Sequence, residues 1–274
     1  LLVIVAAAGG CGGGQGVSAP MQFATQQRMD RGLVVILPGI EGESWMNHDI
    51  RDGLDRAGID RGLPIYRWGR PIPVAGPLIN QMDFLGNRAE GAKIARMIVQ
   101  YQDSHPSAPV YLVGHSGGGG VAVFAAESMP GNRKIEGLVL LSASISSAYD
   151  LSKALAHTRN GIVNFYSKAD VVFLIAGTTL AGNVDGTRGP AAGAVGFDLP
   201  GEGETVRRIH YARLYQVELT SSMTGGDLDA HGSSTRSGFV SKYVAPWVAS
   251  VDWPPPAALR ETAQSPRDLL ARSR

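Results

Sequence analysis

The stretch Gly114-His115-Ser116-Gly117-Gly118 places a serine among glycines between two different kinds of apolar run. Before it lies Pro109-Val110-Tyr111-Leu112-Val113, which reads as a strand; after it lies the small-residue run Gly119–Glu127, which reads as a helix. Strand, sharp turn and helix with serine at the apex is the context in which Gly-x-Ser-x-Gly builds a nucleophile elbow. The apical residue of such a turn is held in a strained backbone conformation, and neighbours without a Cβ leave it room. Ser116 would then stand exposed at the carboxyl edge of a sheet, with a helix N-terminus behind it that favours negative charge. A serine hydroxyl is a weak nucleophile at neutral pH and needs a neighbouring base to take its proton. The same residues also fit a plain strand-to-helix connection in which Ser116 is an N-cap.

The elements that must position Ser116 follow from the pattern around it. Leu33-Val34-Val35-Ile36-Leu37 is a continuous apolar run between Gly32 and Pro38-Gly39, as expected of a buried parallel strand. Further strands are expected at 63–68, 110–113, 138–141, 162–166 and 211–219. Helices are expected at 44–57, 88–101, 121–128, 152–157 and 233–248, with Ala92, Ala95, Ile98 and Val99 on one face of the second. Strands alternating with helices predict an α/β fold: a mainly parallel sheet covered on both faces. In such sheets ligands bind beyond the carboxyl ends of the strands. The Ser116 turn, the Pro38-Gly39 turn and the loop at Asp170 all sit at such ends. Residues 177–203 are rich in Gly, Ala, Thr and Asn without a clear period and read as a long loop.

This arrangement resembles the α/β-hydrolase fold of serine esterases and lipases over residues 32–249. In that family the triad runs nucleophile, acid, histidine along the chain. The resemblance implies Ser116 as nucleophile, Asp170 as acid and His231 as base. His231 lies in the loop after the last expected strand, which none of His48, His105, His115, His157 and His210 does. A carboxylate on the second imidazole nitrogen would fix its tautomer and stabilise the imidazolium. Asp185, Asp198, Asp227 and Asp229 compete with Asp170 for that role. Asp227 and Asp229 are so close to His231 in the chain that reaching round to Nδ1 is awkward. The resemblance also implies an oxyanion hole made by the backbone N–H groups of Gly117 and Ile40. Leu37-Pro38-Gly39-Ile40 matches the family's His-Gly-x turn with proline in place of histidine.

The implied activity is hydrolysis of carboxylic esters with short or medium acyl groups, through an acyl-enzyme and without a cofactor. Thioester or amide cleavage would use the same triad, and a non-catalytic binding protein could keep the same fold. No metal-ligand spacing such as His-Glu-x-x-His occurs, and the run Gly117–Gly120 lacks the Lys-Ser/Thr of a phosphate loop. The 274 residues suit one domain, and 44% hydrophobic residues against 18% charged supply a large core. A net charge of +1 gives no reason to expect a nucleic-acid partner.

The N-terminus carries a separate signal. Leu1–Ala8 is apolar but too short to span a bilayer, and Gly9-Gly10-Cys11 follows it. This resembles a bacterial lipoprotein signal, in which the cysteine becomes the lipid-modified first residue of the mature chain. The alternative is a buried first strand followed by a Gly-rich turn. Leu1 is preceded by neither an initiator Met nor a basic segment, so the true start is expected upstream. The expected organisation is therefore signal remnant 1–10, linker 11–31, hydrolase domain 32–249 and tail 250–274. The protein is expected to be exported, touching the membrane through a lipid on Cys11 alone. Expression of the precursor in a bacterium is expected to put it in the membrane fraction, and Cys11→Ser to release it. Cytoplasmic recovery of an uncleaved chain would contradict the export reading.

Overall fold

A computed structural model describes residues 16–69, 76–168, 182–226 and 231–254, leaving aside the side chain of Leu78. Seven strands form one sheet: β1 Gly16–Ser18, β2 Leu33–Leu37, β3 Ile65–Arg67, β4 Val110–His115, β5 Ile135–Leu141, β6 Thr158–Tyr166 and β7 Leu214–Glu218. Their order is β1-β3-β2-β4-β5-β6-β7. β1 runs antiparallel to β3, and all other pairings are parallel. The expected mainly parallel sheet is thus present.

Burial on both faces explains why the strands read as unbroken apolar runs. In β2, Leu33, Val35 and Leu37 enter one core cluster, while Val34 and Ile36 enter the other. The same alternation sends Val110 and Leu112 of β4 one way and Tyr111 and Val113 the other. Helices α1 Gln26–Arg31, α2 Trp45–Arg56, α3 Gly76–Met82, α4 Phe84–Ser104, α5 Gly117–Glu127 and α6 Ser152–Ala156 are followed by shorter turns. α4 and α5 cover the first cluster; α2 and the C-terminal helical segment cover the second. α4 starts where the Asp83 carboxylate accepts the Gly86 N–H at 3.0 Å. Every residue of α5 is buried, which its small side chains allow by letting it lie close on the sheet.

Register brings the site together. Leu37 is level with Gly114, His115 with Leu141, and Leu141 with Phe165. The turns after β2, β4, β5 and β6 therefore leave the sheet along one edge.

The packed body is longer than residues 32–249. Within the expected linker, β1 pairs with β3, and Phe23 and Met29 are buried. Within the expected tail, the Trp253 ring lies against Trp247 and Tyr215, and its Nε1–H donates to the Trp247 carbonyl at 2.8 Å. Flanking glycines, prolines and charges made both segments read as loose, but aromatic burial outweighs that composition. Residues 182–203 form a long loop interrupted only by the four-residue helix Ala192–Val195, and the loop is anchored on the core. Val184, Ala192 and Phe197 are buried, and Ala192 and Gly193 donate backbone N–H bonds to Ile145 and Ala143. The last helix is broken into Ser237–Phe239, a wide turn at Val240–Val244 and Ala245–Ala249. Pro246 sits in the first turn of the last piece, where its missing N–H cannot continue the ladder. An additional helix, Thr205–Tyr211, precedes β7, so that strand starts at Leu214 and not at Tyr211.

Trp253→Ala is expected to lower the unfolding free energy by about 3 kcal/mol, the usual cost of removing a buried indole. Urea denaturation measures it; a loss below about 1 kcal/mol would show that residue 253 lies outside the core.

Candidate active site

β4 ends at His115, and the next residue, Ser116, has φ 52° and ψ −123°. A side chain at positive φ is strained, and such strain persists only where surrounding contacts over-determine it. Three backbone bonds do so here. The Ser116 N–H donates to the Leu141 carbonyl at 2.9 Å. The Ser116 carbonyl accepts from Gly119 at 3.0 Å and from Ser144 at 2.9 Å. The turn also needs two residues without side chains. A Cβ on Gly114 would lie 2.5 Å from the Gly118 carbonyl oxygen, and one on Gly118 would run into the carbonyls of Leu37 and Pro38. Ser116 is thereby held at the carboxyl edge of β4, 7% exposed, with α5 starting directly behind it.

The turn after β2 lies against this elbow. A Cβ on Gly117 would sit 2.7 Å from Cγ2 of Ile40 and 3.3 Å from the Trp68 ring. Trp68 is buried and its Nε1–H donates to the Pro38 carbonyl at 2.7 Å, which anchors the turn. Asn80 Nδ2 of α3 donates to the Ile40 carbonyl at 3.0 Å. Among the described residues, neither the Ile40 N–H nor the Gly117 N–H is taken up by a hydrogen bond. Two neighbouring donors are thus available beside Ser116, as an oxyanion hole requires.

His231 is half-buried at the same edge. Its ring centroid is 4.9 Å from that of His115, with the planes 52° apart. The His115 Nε2–H donates to the His231 carbonyl at 3.3 Å, which ties the histidine loop to the elbow. His115 is fully buried; desolvation first, and the neighbouring His231 second, push its pKa down to about 3. It is therefore neutral at pH 7, and it packs against the loop without adding charge.

Asp170 lies outside the described residues, as do Asp227, Asp229 and Cys11. Of the other competitors, Asp185 accepts the Thr187 hydroxyl and, at 3.4 Å, the Ser146 N–H, which makes it part of the 182–187 turn. Asp198 bonds through its backbone N–H to the Ser147 carbonyl. Glu41 was not singled out by sequence, although it directly follows Ile40. Its carboxylate folds back over Gly39, and the Ser44 hydroxyl donates to it at 3.4 Å. Its side chain keeps contact with solvent, yet protein atoms crowd the carboxyl, and desolvation raises its pKa while the charge of His231 opposes the rise. Its signal in the sequence was position alone: it is an acid in the turn that faces the nucleophile.

No protein-family model matches the chain, and no curated protein matches it in sequence. Solved structures do resemble it. Lipase B of Aspergillus fumigatus superposes with a TM-score of 0.52 at 14% identity, over 89% of this chain and 58% of the lipase. This chain therefore spans little more than half the length of that lipase. A carboxylesterase from Mesorhizobium loti matches with a TM-score of 0.44 at 16% identity, over 80% of this chain and 89% of the esterase. Together, the strand order, the strained serine at the end of β4 and the superposition on lipase B assign the chain to the α/β-hydrolase fold.

Proposed function

We propose that this protein is a serine hydrolase that cleaves carboxylic esters. Support comes first from Ser116, a serine kept at positive φ at the carboxyl edge of the sheet beside two unspent backbone donors. A turn that served only to join strand to helix has no need of that strain. In this reading Ser116 attacks the acyl carbonyl and His231 takes its proton. The developing oxyanion lies between the N–H groups of Gly117 and Ile40. His231 then returns the proton to the departing alcohol, and water resolves the acyl-enzyme by the reverse path. Asp170 orients His231 from the segment after β6, where this fold carries its acid. The residues assigned here complete these steps on their own. Export with a lipid on Cys11 belongs to the same proposal.

Acyl length is proposed to be short or medium. Long-chain lipases shield an apolar trough with an amphipathic flap that opens on lipid. The connection from β5 to β6 is short and carries only the five-residue α6. The described part of 182–203 is bonded to the core through Ala192 and Gly193 instead of lying free as a flap.

A fluorophosphonate probe is expected to label the wild-type protein and to leave Ser116→Ala unlabelled. Loss of the nucleophile should lower ester turnover by several orders of magnitude while leaving the fold intact. Retention of more than about a tenth of wild-type turnover would refute the nucleophile.

Asp170→Asn is expected to cripple turnover, whereas Asp227→Asn, Asp229→Asn and Glu41→Gln change it little. If one of those three is the most damaging, the acid is that residue.

Butyrate and octanoate esters are expected to be cleaved faster than palmitate esters. No rate jump should appear as palmitate crosses its solubility limit; such a jump would indicate interfacial activation and a flap.

A further inference from the structure

α3 carries two consecutive amides that reach the two halves of the proposed oxyanion hole from the same side. Asn80 is 5% exposed and donates from Nδ2 to the Ile40 carbonyl at 3.0 Å. Gln81, also 5% exposed, donates from Nε2 to the Ser144 hydroxyl at 2.9 Å and to the Gly182 carbonyl at 2.6 Å. Ser144 in turn gives its N–H to the Ser116 carbonyl at 2.9 Å. That carbonyl belongs to the peptide whose N–H is the Gly117 donor. The Ile40 carbonyl belongs to the next peptide, Ile40–Glu41, and is joined to the peptide that carries the Ile40 N–H across the Ile40 Cα. α3 therefore holds the peptide that carries the Gly117 donor, through Ser144, and on the other side it holds Ile40 by the peptide that follows its N–H.

The helix is itself locked in place. Asn87 of α4 donates from Nδ2 to the Asn80 carbonyl at 2.9 Å and to the Val184 carbonyl at 3.3 Å. Val184 sits against Gly120 in the first turn of α5. Buried side-chain amides of this kind have few free rotamers and low local dielectric, so their bonds are stiff as well as strong. The turn after β2 holds a proline and two glycines within five residues and is closed by one bond of its own, from the Gly42 N–H to the Gly39 carbonyl at 3.1 Å. Without an outside anchor its peptides could rotate. A hole misplaced by a fraction of an ångström stabilises the oxyanion poorly while binding the ester unchanged.

We propose that Asn80 and Gln81 are the positioning residues of the oxyanion hole: Asn80 holds Ile40, and with it the Ile40 N–H, in place, and Gln81, through Ser144, sets the direction of the Gly117 N–H. This rests on Ser116 being the nucleophile. Neither amide touches the substrate. An aspartate at 80 would present an acceptor to the Ile40 carbonyl in place of a donor and push that peptide away. A methionine at 81 keeps the length and loses both bonds.

The test uses the full chain with kcat counted per fluorophosphonate-labelled site, so that unfolded protein does not enter the rate. Asn80→Asp and Gln81→Met are expected to lower kcat by about 10- to 100-fold, as a displaced donor does, with KM within about threefold of wild type. Affinity for a trifluoromethyl ketone, which forms a tetrahedral adduct in the hole, should fall in parallel; affinity for the corresponding alcohol should not. Asn80→Ala, which leaves room for a water to bridge to the Ile40 carbonyl, should fall between wild type and Asn80→Asp. Gln81→Met carries the test by itself if Asn80→Asp does not fold. Variants that keep kcat, or that weaken ketone and alcohol equally, overturn the positioning role while leaving the hydrolase reading intact. A wild-type protein that is neither labelled nor active on any ester overturns both.

Discussion

Everything at the site depends on how closely the first turn of α5 approaches the end of β2. Gly118 lies so near the carbonyls of Leu37 and Pro38 that a single Cβ would push the helix off the sheet. Gly114 makes the same demand from the strand side, against the Gly118 carbonyl. Close packing at this point turns the chain through a short arc and leaves Ser116 at positive φ. It also brings the Gly117 Cα close against the Ile40 side chain. The strain at the serine and the closeness of Gly117 to Ile40 are thus two results of one steric fact. The cost is met by the rest of the sheet, whose central strands are buried on both faces.

A second layer of contacts keeps this edge stiff. Trp68 holds Pro38, Asn80 holds Ile40, and Ser144 holds Ser116. His115 faces the other way and donates to the carbonyl of His231. Its burial keeps it neutral, so it brings the loop to the elbow without adding a charge there. The elbow therefore has two jobs for its backbone and one for each side chain. Ser116 carries its hydroxyl at the edge of the sheet, 7% exposed, and the His115 ring is fully buried.

How much of this was legible in the chain varies with the range of the contacts involved. The five-residue run 33–37 and the glycines around Ser116 carry local information, because two-sided burial dictates apolar residues and a tight turn excludes Cβ atoms. Phe23, Met29 and Trp253 were hidden, since their burial depends on partners far along the chain, and their own surroundings are glycine, proline and charge. The segment 182–203 is a loop as expected, but its attachment to the core was hidden for a related reason. Small residues without periodicity look like a free loop, but Ala192 and Gly193 are small so that the backbone can approach Ala143 and Ile145.

From the sequence alone came the α/β alternation, the elbow at Ser116 and the chain order of serine, aspartate and histidine. Each of these is written in periodicity, in glycine placement or in the order of a known family. Tertiary structure alone decided that Gly117 lies against Ile40, that Glu41 folds over Gly39, and that Asn80 and Gln81 of one short helix reach Ile40 and Ser144. The two amide bonds of α3 join residues 40 and 63 positions apart, Asn80 to Ile40 and Gln81 to Ser144. No local pattern encodes such pairs, because an amide on a helix reads the same whether it meets water or a carbonyl across the fold. Only the packing of α3 against the sheet edge makes the choice.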